Sequence, residues 1–198
     1  MHNGAKGEVG LKETATMKRA KEGTLRLLTL EEIALAHSIF GGSIDYARVW
    51  IHCDSYLPFG LQRRDTAMSP NGEIWFRKEL YQPNFAAIQA PASTKHLFIH
   101  EMMHVWQYQR RMWVRARGFF SWAANYTYQL DGRPLLQYSL EQQAQIVADY
   151  FILYTFGYKV WDLLRKQTYP VVTYQGNIDR LILLSQYQKT IYTAVKKG

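Results

Sequence analysis

Cysteine is nearly absent from this sequence, and long apolar runs are missing altogether. The single cysteine, Cys53, cannot form a disulfide within the chain, so the fold must be held by its core or by a metal. No segment approaches the ~18 uninterrupted apolar residues of a membrane-spanning helix, and Met1 to Gly23 lacks the apolar core of a secretory signal. We therefore expect synthesis in a reducing cytoplasm, with no signal peptide and no transmembrane segment.

Acidic residues are also in the minority: 16 Asp and Glu stand against 24 Lys and Arg, which gives a formal net charge of +8. Such a charge favours acidic partners in general but specifies none of them. The basic residues are scattered, as is typical of a solvated surface, so no nucleic acid partner is expected. A basic binding module that uses the stretch from Arg110 to Tyr128 for nucleic acid remains an alternative.

The 198 residues are enough for one catalytic domain with a sizeable core, since 47% of them are hydrophobic and 15% aromatic. Residues 1–23 mix Gly, Lys, Glu and Thr with few large apolar side chains, which predicts a flexible leader or linker. The folded domain is therefore expected over residues 24–198.

Two capping boxes predict where helices begin. Thr29 with Glu32 starts a first helix, and Ser139 with Gln142 starts a long helix from Leu140 towards Phe156. Between them, Ser93 is expected to cap a helix that runs to about Met112, and Asn177 to cap a last amphipathic helix.

Strand signals are fewer. Residues 47–53 alternate in a strand-like way, and residues 73–76 follow the turn signal Asn71-Gly72. The predicted fold class is α+β and predominantly α, with an active-site helix, a second ligand-bearing helix and a small antiparallel sheet or hairpin.

The motif His100-Glu101-Met102-Met103-His104 carries the chemistry. On a helix, two histidines four residues apart lie one turn apart on one face, where they can share one zinc ion. Glu101 lies beside His100, where it can accept a proton from a metal-bound water without being a ligand. The pattern predicts a zinc-dependent hydrolase that cleaves an amide bond.

A catalytic zinc site normally takes three protein ligands and leaves the fourth position to water. Glu141, in the first turn after the Ser139 cap, is the predicted third ligand. Other acids remain open as alternatives, and so does a role for Glu141 that only complements the helix dipole. The alternative acids are Asp149, Asp131 and Asp45. His96, one turn before His100, is interpreted as a supporting or surface residue.

Two runs of the sequence resemble zincin peptidases in which a glutamate from a second helix completes the site. They are Phe98-Ile99-His100-Glu101-Met102-Met103-His104-Val105-Trp106-Gln107 and Tyr138-Ser139-Leu140-Glu141-Gln142-Gln143-Ala144. Three further runs are similar to the metallopeptidase effector domains at the C-terminus of VgrG spike proteins of bacterial type VI secretion. They are Thr29-Leu30-Glu31-Glu32-Ile33-Ala34, Phe40-Gly41-Gly42-Ser43-Ile44-Asp45-Tyr46 and Val49-Trp50-Ile51. The resemblance covers most of the chain from Thr24 onwards.

The resemblance implies an antibacterial toxin that hydrolyses protein or peptide in the periplasm of a neighbouring cell. A secretion spike would carry it there, and a cognate immunity protein would be a second partner. One departure is Gln145, because many gluzincins carry Asp four residues after the ligand Glu to orient the first His. Asp149 is a candidate to take over that task. An oxyanion donor is also needed, and Tyr126, Tyr128 and Tyr138 are candidates that the sequence does not separate.

Two other interpretations of the motif stay open. The zinc could instead hold two helices together in an adaptor protein without catalytic activity, although structural zinc sites tend to use four protein ligands and more cysteine. The site could also hydrolyse a cell-wall peptide rather than a protein, since this chemistry accepts any amide that reaches the metal.

Overall fold

The computed structural model of the chain describes residues 21–112 and 126–195. Over these ranges the fold is α+β with helices predominating, as expected. The strands are β1 (Thr24–Leu27), β2 (Trp50–Cys53) and β3 (Ile74–Phe76). The helices are α1 (Leu30–Phe40), α2 (Ala92–Gln109), α3 (Leu140–Arg165) and α4 (Leu183–Val195). The expected leader lies almost wholly outside the described residues, so its boundary stays a prediction.

The three strands form one sheet in the order β1-β2-β3, and the sheet is mixed. Strands β1 and β2 are antiparallel, but β2 and β3 are parallel, so the predicted antiparallel sheet is wrong at β3. Residues 54–73 form a long crossover, which a parallel pair requires and a local turn signal cannot reveal. The predicted turn at Asn71-Gly72 does lie inside an antiparallel bridge, between Met68 and Trp75.

Both capping boxes are confirmed. The Thr29 hydroxyl accepts from the Glu32 backbone N–H, and the Glu32 carboxylate accepts from the Thr29 N–H. Ser139 and Gln142 exchange the same pair of bonds at the start of α3. Helix α3 therefore begins at Leu140, which fixes Glu141 in its first turn.

The other helix boundaries differ from the prediction. Helix α2 is capped by Pro91 and not by Ser93, because the Pro91 carbonyl already accepts from the N–H groups of the first turn. Helix α3 continues through a kink at Gly157, where φ is 78°, and ends at Arg165. Helix α4 begins at Leu183 and not after Asn177.

The core lies mainly between α2 and α3, which pack against each other along their length. Phe98, Met102 and Val105 of α2 and Ile146 and Phe151 of α3 are fully buried there. The facing sides of the two helices consequently meet in the interior, and any polar group on those sides needs a partner. Within the described ranges, no helix is long and apolar enough to cross a membrane.

Candidate metal centre

Helix α2 places His100 and His104 side by side. Their ring centroids are 5.0 Å apart, as expected for residues one turn apart on one helical face. Both residues are buried, with exposures of 8% and 6%. Their Nε2 atoms face the first turn of α3.

Glu141 meets both histidines from α3. Its Oε2 lies 3.2 Å from His104 Nε2 and 3.5 Å from His100 Nε2. One ligand atom from each of the three residues lies within 4.8 Å of the others, so the group could hold a metal ion. The structure thus brings together the three residues that the sequence predicted as ligands.

The spacing of these atoms suits zinc. Tetrahedral zinc with bonds of about 2.0–2.1 Å to nitrogen and oxygen separates neighbouring ligand atoms by roughly 3.3 Å. The two distances to Glu141 Oε2, 3.2 and 3.5 Å, lie on either side of that value. Two imidazoles and one carboxylate are also a ligand set typical of catalytic zinc, which leaves a fourth position for water.

The charges of the group favour an ionised carboxylate. Burial would raise the pKa of Glu141, but the charge of His104 and hydrogen bonds from both histidines lower it. Burial would lower the pKa of His104, but the charge and hydrogen bond of Glu141, together with the charge of Glu101, raise it. The Glu141 carboxylate and the His104 imidazole thus favour each other's charged form, and a metal ion that binds there competes with a proton for His104.

Gln107 orients His104 and was not among the residues predicted from the sequence. Its Oε1 lies 2.8 Å from His104 Nδ1, and its Nε2 donates to the Leu140 carbonyl and to Gln143 Oε1. Because the amide nitrogen is committed to acceptors, Oε1 must face the imidazole, so Nδ1–H donates to it and Nε2 is the ring nitrogen that can bind a metal. The signal that could have found it is its position three residues after His104 on one helical face.

Gln107→Ala is expected to weaken zinc binding by about 10- to 100-fold, because His104 loses the partner that fixes its tautomer and ring orientation. Competition with a chromophoric zinc chelator measures this change. Gln109→Ala is the matched control, since the Gln109 amide bonds the Asp45 backbone and not a histidine. Equal zinc affinity in the two variants would contradict the role given to Gln107.

Glu101 lies next to this group and is not one of its three members. It is 4% exposed, and its Oε2 accepts a hydrogen bond of 2.8 Å from the Ser69 hydroxyl. Ser69 was not singled out in the sequence, because it lies 32 positions away from Glu101 and outside any motif.

Asp149 makes its hydrogen bonds to residues other than His100 and the rest of the metal group. Its Oδ1 lies 2.7 Å from His96 Nε2 and accepts from Gln145, while its Oδ2 accepts from Tyr128 and the Thr173 N–H. Asp149 is fully buried, and these four donors satisfy the hydrogen-bonding capacity of its carboxylate. The suggestion that Asp149 replaces the missing gluzincin Asp is therefore wrong: it anchors His96 instead.

The remaining alternative acids also lie elsewhere. Asp131 accepts from the Tyr138 hydroxyl and from Arg133, and Asp45 lies at the edge of the cavity described below. Neither belongs to the group that Glu141 forms with the histidines.

Among the three candidate tyrosines, Tyr126 lies nearest the metal group, with its ring centroid 6.0 Å from that of His100. Burial and the charges of Glu141 and Glu101 raise the pKa of Tyr126, so its hydroxyl keeps its proton. Tyr128 and Tyr138 are committed to other acceptors.

The nucleic-acid alternative rests mainly on residues 113–125, which lie outside the described residues.

A cavity of about 1060 Å³ lies at the C-terminal end of α2, and none of its lining residues belongs to the metal group. Tyr108, one turn after His104 on α2, lines it together with Met112, which lies just beyond the end of that helix. Asn71 and Gly72 line the opposite side, two and three residues after Ser69, and Gly72 packs directly on the Tyr108 ring. Trp50 and the two cations Arg48 and Arg111 complete this surface.

No protein-family model matches the chain. A solved structure does: the effector domain of Pseudomonas aeruginosa VgrG2b is 31% identical, with a TM-score of 0.58, over 81% of this chain and 89% of that domain. The chain therefore belongs to the family of VgrG-related effector domains of type VI secretion.

The full-length relative is the type VI secretion system spike protein VgrG2b of the same organism. It is 40% identical over 134 residues, which are 64% of this chain. The match spans only 13% of the spike protein's length. The chain thus corresponds to only a small part of that relative.

Proposed function

We propose that the chain is a zinc-dependent metallopeptidase of the zincin type. The observation that carries the proposal is the spacing of His100, His104 and Glu141, whose ligand atoms suit one tetrahedral zinc, with Glu101 alongside. Zinc, when bound, would polarise the amide carbonyl and lower the pKa of a coordinated water towards ~7.

Three residues near the ligands have further roles in the proposed reaction. Glu101 accepts a proton from the attacking water and returns it to the leaving nitrogen. Tyr126, which keeps its hydroxyl proton, donates a hydrogen bond to the oxygen on which negative charge develops. Gln107 holds His104 in the tautomer that can act as a ligand.

A polymeric substrate fits the surroundings better than a small molecule. The cavity at the C-terminal end of α2, one helical turn beyond His104, is at the upper end of the size range for ligand sites, and Trp50 and Tyr108 offer partly exposed aromatic faces. A protein or an extended peptide, including a cell-wall peptide, would place its scissile amide at the zinc and its neighbouring residues in the cavity.

The membership in a family of type VI effector domains supports a wider role. We propose that the protein is an antibacterial toxin, made in the cytoplasm, carried on a secretion spike and active in the periplasm of the target cell. A cognate immunity protein would protect the producing cell.

Directing the protein to the periplasm of a sensitive bacterium is expected to stop growth, whereas the same protein kept in the cytoplasm is tolerated, because the substrate lies outside the inner membrane. Viable counts after induction measure the difference, with immunoblots to show equal amounts of protein. Equal toxicity in both compartments would rule out a periplasmic substrate while leaving the peptidase proposal in place.

A further inference from the structure

We propose that Ser69 is a positioning residue for Glu101. The inference rests on the proposed function, because it concerns the carboxylate that acts as the base. Ser69 does not contact the metal ligands or, on this account, the substrate. It acts by holding one oxygen of Glu101 so that the other one faces the reaction.

The contact is short, buried and directional. The Ser69 hydroxyl lies 2.8 Å from Glu101 Oε2, and the two residues are 5% and 4% exposed. An ionised carboxylate can only accept, so the serine donates. Within the described part of the chain, Glu101 Oε1 has no hydrogen-bond partner, which makes it the oxygen available to a water at the metal.

Ser69 is itself held firmly from the sheet. Its neighbour Met68 exchanges two backbone hydrogen bonds with Trp75, of 3.1 and 2.8 Å, at the edge of β3. The Gln62 amide nitrogen donates hydrogen bonds to the carbonyls of Thr66 and Trp75, which hold the same segment against β3. The serine thus links α2 to the sheet, and its position is set by contacts outside α2.

In this arrangement Glu101 Oε2 binds Ser69, and Oε1 is left to accept a proton from water. The bond to Oε2 restrains the rotation of the carboxylate, so Oε1 is held in one orientation from which it can accept a proton. Without the hydroxyl, Oε2 is a buried acceptor without a partner, and the side chain gains alternative rotamers. Misplacement of a reacting group by about 1 Å can cost up to 100-fold in rate.

The kinetic test compares Ser69→Ala, Ser69→Thr and Thr66→Ala. We expect Ser69→Ala to lower kcat for peptide cleavage by about tenfold with little change in KM or zinc content, and Ser69→Thr to recover most of the rate. Thr66→Ala is the matched control, because the Thr66 hydroxyl lies in the same segment but contacts only Asp65. A kcat for Ser69→Ala within twofold of that control would overturn the inference.

A second readout is independent of activity. In the metal-free protein, the melting temperatures of Ser69→Ala, Glu101→Ala and the double variant form a thermodynamic cycle. We expect the double variant to lose clearly less than the sum of the two single losses, because both remove the same hydrogen bond. Additive losses would overturn the inference.

The two readouts separate this inference from the proposed function. If the wild-type protein cleaves no peptide and holds no zinc, the proposed function fails, whatever the melting cycle shows. If the wild type cleaves and Ser69→Ala matches Thr66→Ala, only the role of Ser69 fails.

Discussion

Glu101→Gln is expected to lower kcat/KM for peptide cleavage by about 10³-fold and to abolish toxicity in the periplasm. Glutamine keeps the size of the side chain and can still accept from Ser69, but its amide cannot take a proton from water. The three predicted ligands are untouched, so zinc content should equal that of the wild type. Cleavage of a fluorogenic peptide and elemental analysis of the same preparation measure the two quantities.

The matched control for this variant is Glu31→Gln, which removes an exposed acid from the first turn of α1. It should cleave at the wild-type rate. If Glu101→Gln kept full activity with zinc bound, Glu101 would not be the base, and the catalytic assignment would have to move to another residue.

His104→Ala is expected to bind zinc at least roughly 10³-fold more weakly and to lose activity with it, because one of three protein ligands is gone. The metal-free variant should also be less stable by about 1–3 kcal/mol, since buried Gln107 Oε1 loses its donor. Glu141→Ala should weaken zinc binding in the same way. Zinc affinity from chelator competition and urea denaturation of the metal-free proteins measure these effects.

His37→Ala is the control for this prediction. His37 lies in the last turn of α1 and is exposed, so its loss should leave zinc binding unchanged. Wild-type zinc affinity in both His104→Ala and Glu141→Ala would show that the metal, if bound, lies elsewhere in the chain.

The residues of the metal group could be predicted because each one is fixed by local structure. The spacing of His100 and His104 needs only a helix, and the position of Glu141 needs only the Ser139 capping box that starts α3. The packing of these two helical faces against each other is a feature of the tertiary structure. The apolar residues that flank the motif already favour such packing. The structure adds the distances at which the three residues could share one metal ion.

Ser69 and the arrangement of the sheet could not be predicted in this way. The Ser69–Glu101 bond and the parallel pairing of β2 with β3 both depend on the path of residues 54–73, which carries no periodic pattern. Asp149 was named as a candidate to orient His100 because Gln145 stands where many gluzincins carry Asp, but packing directs Asp149 to His96. Gln107, by contrast, lies within the motif's own helical face and was predictable.

The most direct test of the account is a zinc titration of the metal-free protein with peptide cleavage as the readout. We expect activity to rise linearly with added zinc and to level off at one equivalent per chain, while metal-free Glu101→Gln binds the same equivalent without gaining activity. Cleavage by the metal-free protein, or no cleavage at any zinc concentration, would contradict a zinc-dependent metallopeptidase.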